Sequence, residues 1–298
     1  MAYTVLSDFK EIKERHPCFS KEAHHANSRI HLPVAPACNI QCNYCIRKFD
    51  CVNESRPGVT SNVISPDEAL ERLHMLAVRE EALSVAAVAG PGDPLANSAT
   101  FETLSRINDT LPDLLICVST NGLMLPQYVD RLVDVGIKSL TVTINAVNIE
   151  VAAKIYLWIN YNGRLIRGEE AIKTLLENQW LGAAMAVKAG ICVKINTVFI
   201  PGVNDGAEVL DIAKRAELIG VHLMNIMPLI PQAGFKNVKA PSRKEIDAVR
   251  FECGYFIKQM THCMQCRSDA FGNICEDKDV ELEVLYSRLG VEYCENVF

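Results

Sequence analysis

Cys38-Asn39-Ile40-Gln41-Cys42-Asn43-Tyr44-Cys45 sets three cysteines at CxxxCxxC spacing, and the rest of the chain is best read outward from this run. Three thiolates suit a [4Fe–4S] cluster held by the protein on only three of its irons. An electron-carrying cluster takes four cysteines, one per iron. Three leave one iron open to a small molecule, which can then receive an electron directly. A structural zinc site needs a fourth ligand at short range in paired CxxC-like motifs, and this run does not offer one. A disulfide oxidoreductase uses a single CxxC near a thioredoxin-like pattern. Cys42 and Cys45 alone fit that description, but Cys38 argues against it.

The composition narrows the setting. The 298 residues are 49% hydrophobic with a formal net charge of -6, enough material for one large globular domain or barrel. The acidic balance argues against a non-specific nucleic-acid surface. No apolar run is long enough to suggest a membrane span. Residues 1–18 mix charges and lack an apolar stretch, so no secretory signal is expected. Twelve cysteines without such a signal point to a reducing interior, where they remain thiols or bind metal. The expected location is therefore cytoplasmic.

Short β-rich runs alternate with amphipathic segments. The pattern predicts strands over Ile30–Ala35, Val85–Ala89, Leu114–Ser119, Ser139–Ile144, Cys192–Phe199 and Leu223–Met227. Between and after them it predicts helices over Pro66–Glu80, Thr100–Thr110, Gln127–Val135, Glu169–Lys188, Ala207–Leu218 and Ser242–Met260, with a short helical run at Leu282–Leu289. Ser65-Pro66-Asp67-Glu68 carries a capping serine, an early proline and early acids, the marks of a helix start. Six βα units in order suggest an α/β fold, a partial (βα)6 TIM-like barrel. Working residues of parallel barrels collect where the strands end, and the polar motifs fall at those ends. The cysteine loop follows the first strand, Gly90-Pro91-Gly92-Asp93 the second, Ser119-Thr120-Asn121-Gly122 the third and Asn145 the fourth, while Asn225 and Met227 close the sixth.

The CxxxCxxC run resembles the radical S-adenosylmethionine (SAM) superfamily. His16-Pro17-Cys18-Phe19-Ser20, the pair His24-His25, the block Arg29–Ser61 and the run His262-Cys263-Met264-Gln265-Cys266-Arg267-Ser268-Asp269-Ala270 are similar to the NifB family of nitrogenase cofactor maturases. The resemblance extends from about Cys18 to Asp277. It implies a barrel over residues 30–240, an N-terminal extension (1–29) carrying a cluster ligand, and a C-terminal helix, CxxC segment and tail over 241–298, in the stand-alone form of the family. Cys38, Cys42 and Cys45 then hold the SAM-binding cluster. Gly90, Gly92 and Asp93 correspond to the segment holding the SAM amino group, although Ala89-Gly90-Pro91 departs from the commoner Gly-Gly-Glu; a plain strand-to-helix turn is the other reading. Ser119, Thr120 and Asn121 contact the ligand or cap a turn, Asn145 sits at the same rim, and Asn225 and Met227 line the adenine site or simply pack.

Two auxiliary clusters follow from the same resemblance. One is held by Cys18, Cys51 and a histidine. His31 is favoured because its strand leads to the cysteine loop, with His24 as the alternative and a satisfied core histidine as the plain reading. Histidine is neutral and more easily displaced than thiolate, which suits a cluster that is later released. The other is held by Cys263 and Cys266, for which zinc with partners elsewhere is the rival. Cys275 stands where family members often carry Gly-Leu-Leu-Gly and reads as a free thiol, or else as a ligand completing the Cys263/Cys266 site. Cys117 and Cys192 read as small core residues, and Cys253 and Cys294 receive no role. Glu54, in the Pro57-Gly58 loop, is a gate candidate able to occupy the open iron, or else a solvated acid.

The implied activity is fusion of two [4Fe–4S] clusters into an eight-iron nitrogenase cofactor precursor. One SAM supplies the methyl carbon that becomes a central carbide, another yields the 5′-deoxyadenosyl radical, and a further sulfur is added. The implied partners are a low-potential electron donor (ferredoxin or flavodoxin), a cluster donor and a downstream cofactor carrier. Two other functions compete: a radical SAM enzyme acting on an organic or peptide substrate with electron-relay clusters, and a passive iron–sulfur scaffold.

Overall fold

The computed structural model describes residues 2–53 and 58–289, with side chains from residue 9 onward. In chain order its helices are α1 (Ala2–Arg15), α2 (Lys21–Ala26), α3 (Pro66–Arg79), α4 (Ser98–Thr110), α5 (Leu125–Asp134), α6 (Ile149–Ile155), α7 (Gly168–Lys188), α8 (Ala207–Leu218), α9 (Arg243–Cys253) and α10 (Val280–Leu289). The strands are β1 (Ser28–His31), β2 (Ile40–Cys42), β3 (Leu83–Val88), β4 (Leu115–Thr120), β5 (Ile137–Thr143), β6 (Tyr156–Tyr161), β7 (Arg164–Arg167), β8 (Cys192–Phe199), β9 (Leu223–Pro228), β10 (Phe271–Asn273) and β11 (Glu276–Lys278).

Six of these strands, β1-β3-β4-β5-β8-β9, lie side by side and parallel. They are the six expected from sequence, joined in order through helices as a partial (βα)6 barrel requires. Each strand sorts its residues by parity, because successive side chains point to opposite faces. Ile30, Ala86, Val88, Ile116, Val118, Leu140, Val142, Val193, Ile195, Met224 and Ile226 join the core that also contains the helix faces. Arg29, His31, Cys117, Ser119, Thr141, Lys194, Asn196, Asn225 and Met227 line the interior. Both faces are covered, so β8 is buried along its whole length.

Local chemistry explains the element boundaries. Ser65 and Glu68 close a reciprocal capping box at the start of α3. The first strand is shorter than expected and shifted, ending at His31, where the chain turns towards the cysteine loop. The helix expected over Ser242–Met260 ends at Cys253, with Gly254 as its cap. The reason lies at the sheet edge. Met224 N–H donates to Lys258 O (2.9 Å) and Met260 N–H to Met224 O (2.8 Å), so residues 258–260 run along β9 and satisfy its open side.

At the opposite edge β10 pairs antiparallel with β1, and β11 pairs with β10. The C-terminal segment therefore crosses from one edge of the open barrel to the other. Residues 261–270, with Cys263 and Cys266, make that crossing. The N-terminal segment closes a different side: Ile12 and Phe19 pack with Cys192 and Leu223, the first residues of β8 and β9. It thus seals the end of the barrel where these strands begin. A small second sheet, β2-β6-β7, was not expected from the sequence; it holds the cysteine loop from outside.

Candidate active site

The cysteine loop is built by backbone contacts before any ligand is considered. Ile40 pairs with Ile159 and Gln41 with Trp158, and the register shifts before Cys42 pairs with Tyr156. Cys45 N–H donates to Cys42 O (3.1 Å), tightening the turn between the last two cysteines. The loop's approach is stitched to the turn after β3, since Gly92 N–H donates to Ala35 O (2.6 Å) and Asp93 N–H to Ala37 O (2.8 Å). A Cβ on Gly92 would collide with the Ala37 carbonyl, and one on Gly90 would meet Ser268 Oγ. The two glycines therefore admit neighbouring protein segments, the cysteine loop and the C-terminal signature. Gly92 also lines the cavity beside the cysteines, whereas Gly90 does not.

Two cavities occupy the barrel. The smaller, about 430 Å³, is lined by Cys38, Cys42 and Cys45 together with Cys51, Arg47, Asp93, Ser119, Thr120 and Asn121. None of these cysteines is in a disulfide. Burial raises all three thiol pKa values of the loop, Cys42 the most, while Arg47 pulls them down. Arg47 also anchors the loop by donating to the Ile40 carbonyl. Asn121 Nδ2 lies 3.7 Å from Cys38 Sγ. Asp93 accepts from Thr120 Oγ1 (2.9 Å), Asn121 N–H (2.6 Å) and Leu95 N–H (3.0 Å), so its carboxylate fixes the turn after β4. Burial pushes its pKa up to about 6 against the pull of those hydrogen bonds.

The larger cavity, about 690 Å³, lies within the barrel and meets the smaller one at Asn53 and Ser119, which line both. It brings together Cys18, His31, Cys263 and Cys266, residues from both ends of the chain. Cys51 lines the smaller cavity instead, so Cys18 and His31 share their space with the CxxC pair. This also changes the expectation of one working rim, because Cys18 enters from the end sealed by the N-terminal segment. Burial drives the Cys18 thiol up to about 12, with Lys194 opposing and Cys266, Cys117 and Cys263 adding to it. The thiols bind metal only by losing these protons.

His31 lines this cavity with one ring nitrogen engaged. Its Nδ1 sits 2.8 Å from the Arg267 carbonyl, a bond that requires the proton on Nδ1 and leaves Nε2 as the free acceptor. Burial, with Arg29 adding to it, lowers its pKa to about 4, so the ring is neutral. His24, the alternative, lines neither cavity; its Nε2 faces Cys275 at 3.3 Å. Asn145 lines neither cavity as well. Its side chain donates to the Tyr44 and Tyr156 hydroxyls (2.7 and 3.1 Å) and accepts from Val198 N–H (2.8 Å), tying the cysteine loop to β8. Asn225 and Met227 line the larger cavity, and Glu54 lies outside the described residues.

Several lining residues were missed in the sequence, Arg47 of the smaller cavity among them. Cys117 packs in a small apolar cluster with Val85, Ala87 and Leu115 and also lines the larger cavity, and Arg29, Lys194 and His16 line it too. Strand parity was the available signal: Cys117 shares it with Ser119, Lys194 with Asn196 and Arg29 with His31. Arg29 is buried, donates to Gly272 O (2.6 Å), pairs with Asp277 and approaches Cys266 Sγ at 3.4 Å. His16 Nδ1 accepts from Cys18 N–H (3.2 Å), which leaves its Nε2–H buried with no partner among the described residues.

The site's donor set fits an iron–sulfur cluster and SAM. Three convergent thiols carry the first. Ser119 Oγ and Asn225 Oδ1 are buried without a hydrogen-bond partner among the described residues, which suits a polar ligand beside them. The comparisons agree. A model of the radical SAM superfamily matches residues 32–216. The fold is shared with a radical SAM methyltransferase from Sphaerobacter thermophilus (TM-score 0.55, 19% identity, covering 78% of this chain and 64% of that one). The chain belongs to the radical SAM superfamily, whose members use a [4Fe–4S] cluster and SAM.

Within that superfamily its sequence is NifB-like. It is 47% identical over 277 residues to the FeMo cofactor biosynthesis protein NifB of Klebsiella pneumoniae, covering 91% of this chain and 59% of that protein. Against the NifB of Frankia alni it is 42% identical over 282 residues, covering 90% and 55%. The chain thus spans somewhat more than half the length of these curated relatives. Among the described residues no helix is long and apolar enough to cross a membrane.

Proposed function

We propose that the chain is a radical SAM enzyme of nitrogenase cofactor assembly, which fuses two [4Fe–4S] substrate clusters into an eight-iron precursor with a carbon from the SAM methyl group and an added sulfur. One observation carries the reading: a cavity lined by Cys38, Cys42, Cys45 and Cys51 adjoins a second cavity that gathers further thiols, imidazoles and positive charge, the two sharing Asn53 and Ser119. A relay cluster needs isolation and full ligation. A substrate cluster needs a site next to the reacting molecule, with ligands that can let go.

The residues divide the work accordingly. Cys38, Cys42 and Cys45 hold the resident cluster, with Arg47 offsetting the charge of their thiolates. That cluster, when bound, supplies the electron that cleaves the SAM sulfonium bond. Ser119 and Asn121, on the turn that Asp93 fixes, stand where SAM would lie between the cavities. Cys18, Cys263 and Cys266, with Cys117 as a further thiol, and His31 through Nε2, hold the substrate clusters. Arg29 and Lys194 lower the Coulomb cost of placing several thiolates and anionic clusters in one buried space. The neutral His31 keeps that charge lower still and gives the clusters a ligand that leaves more readily than thiolate. A low-potential reductant, a cluster donor and an acceptor for the product complete the cycle as partners.

Anaerobic reconstitution with SAM and dithionite tests the reading, following 5′-deoxyadenosine, S-adenosylhomocysteine and iron–sulfur spectra together. The expected result is both nucleosides, with the spectra of separate four-iron clusters giving way to one new species. Cluster spectra that never change during turnover indicate a relay role and an organic substrate. Absence of 5′-deoxyadenosine indicates a passive scaffold.

A further inference from the structure

Outside both cavities, His24, His25 and Cys275 turn three ligand atoms towards one point. His24 Nε2 lies 3.3 Å from Cys275 Sγ and His25 Nδ1 lies 3.8 Å from the same sulfur. The two rings stand nearly perpendicular, with centroids 5.0 Å apart. The thiol proton can serve only one of these nitrogens, and the sulfur accounts for the other approach only by accepting an N–H from a ring protonated on the facing nitrogen. A tetrahedral ion accounts for both. With zinc–sulfur and zinc–nitrogen bonds of about 2.3 and 2.1 Å, the sulfur–nitrogen edge of the tetrahedron is about 3.6 Å, between the two observed distances.

We propose that His24, His25 and Cys275 form a mononuclear His2Cys site for a borderline-soft divalent cation of the zinc type, separate from the iron–sulfur sites, which clamps the N-terminal segment to the C-terminal one. The three ligands bind as two neutral imidazoles and one thiolate, the thiol proton passing to solvent, and a water completes the tetrahedron.

The backbone around the site is already fixed. Asn273 accepts from Cys275 N–H through Oδ1 (2.9 Å) and donates through Nδ2 to His25 O (2.9 Å), so one side chain holds both halves. Ser28, three residues after His25, pairs with Asn273 in the sheet. His24 is buried, and Cys275 and His25 are exposed, which gives the ion an entry path. The clamp has a clear consequence for the cavity nearby. His24 lies between Cys18 and His31 in the chain, and Cys275 follows Cys266 by nine residues. An ion here would lock the two segments that carry the ligands of the larger cavity into a single register.

The test uses the full chain, anaerobically loaded with its iron–sulfur clusters, incubated with Zn2+ alone and desalted. Zinc and iron are counted by mass spectrometry, and the zinc environment is read by X-ray absorption. The expected result is one zinc per chain, bound by two nitrogens and one sulfur. Cys275→Ser and His25→Ala should each lower retained zinc by roughly tenfold or more while iron stays constant. Both substituted side chains are exposed, so the fold is not at stake. Zinc held equally by the variants, no zinc on the unsubstituted chain, or iron falling in step with zinc would each overturn the proposal.

Discussion

The two cavities of the barrel are assembled by opposite strategies. The smaller takes three of its four thiols from eight consecutive residues, Cys38 to Cys45, on a loop pinned by β2–β6 pairing, and the fourth, Cys51, follows shortly after in the chain. The larger takes Cys18 from one end of the chain, His31, Cys117 and Lys194 from three strands, and Cys263 and Cys266 from the other end. A local loop can hold its ligand set as soon as its own turns form. The distributed set exists only once the sheet is complete and both chain ends have docked on it. The first arrangement suits a resident cluster, and the second suits groups that arrive, react and leave.

That contrast can be broken most severely at the loop. Cys42→Ala should abolish formation of 5′-deoxyadenosine and remove one cluster's share of iron, while the iron of the larger cavity remains; iron lost from both cavities would show that they are not independent. Next in size is His31→Ala. Losing one ligand from a shared set should weaken cluster retention in the larger cavity by roughly 10–100-fold while SAM cleavage continues. His24→Ala, by contrast, should leave the iron of that cavity unchanged, because His24 lines neither space. Iron counting and nucleoside chromatography on the same samples separate the two histidines.

A smaller effect belongs to the seam behind the loop. Gly92→Ala forces a methyl group onto the Ala37 carbonyl, which backbone cannot easily yield. It should destabilise the chain by about 1–3 kcal/mol and lower SAM-dependent turnover through the displaced cysteine loop, measured by thermal unfolding and by product formation. The smallest lies remote from both cavities. His222 Nδ1 accepts from Val193 N–H (3.2 Å), and burial lowers the His222 pKa below its ordinary value. The unfolded chain therefore binds this proton more readily than the folded one. The contribution is fully present above about pH 6.5 and is lost as pH falls from there through the lowered folded-state pKa. His222→Gln should flatten the acid side of the stability curve of the cluster-free chain, and an unchanged slope would assign the pH dependence elsewhere.

The same contrast separates what the sequence disclosed from what it withheld. Six parallel strands were legible because each is a short apolar run between helical periods, and Cys192–Phe199 and Ala207–Leu218 matched residue for residue. The cysteine loop was legible because its ligands are contiguous. The larger cavity was legible only by resemblance, since nothing in the spacing of Cys18 and Cys266 says that they meet. Cys117 and Lys194 were within reach of reasoning, as polar or small residues at the parity of Ser119 and Asn196, but an isolated cysteine in a strand looks like core. The β2–β6–β7 sheet was hidden because Ile40–Cys42 is too short to show a period. The end of α9 was hidden for a different reason. A neighbouring sheet edge, not the local sequence, draws residues 258–260 out of the helix.

The most direct test of the two-cavity account follows one carbon atom. The cluster-loaded chain is given SAM labelled in its methyl group, with dithionite, and label is sought in the iron–sulfur product and in nucleosides. The account predicts label in the product of the unsubstituted chain. It predicts none in a Cys263→Ala, Cys266→Ala double variant, which should still release 5′-deoxyadenosine. Label reaching the cluster product in that variant, or the loss of 5′-deoxyadenosine along with it, would contradict the division of labour between the two spaces.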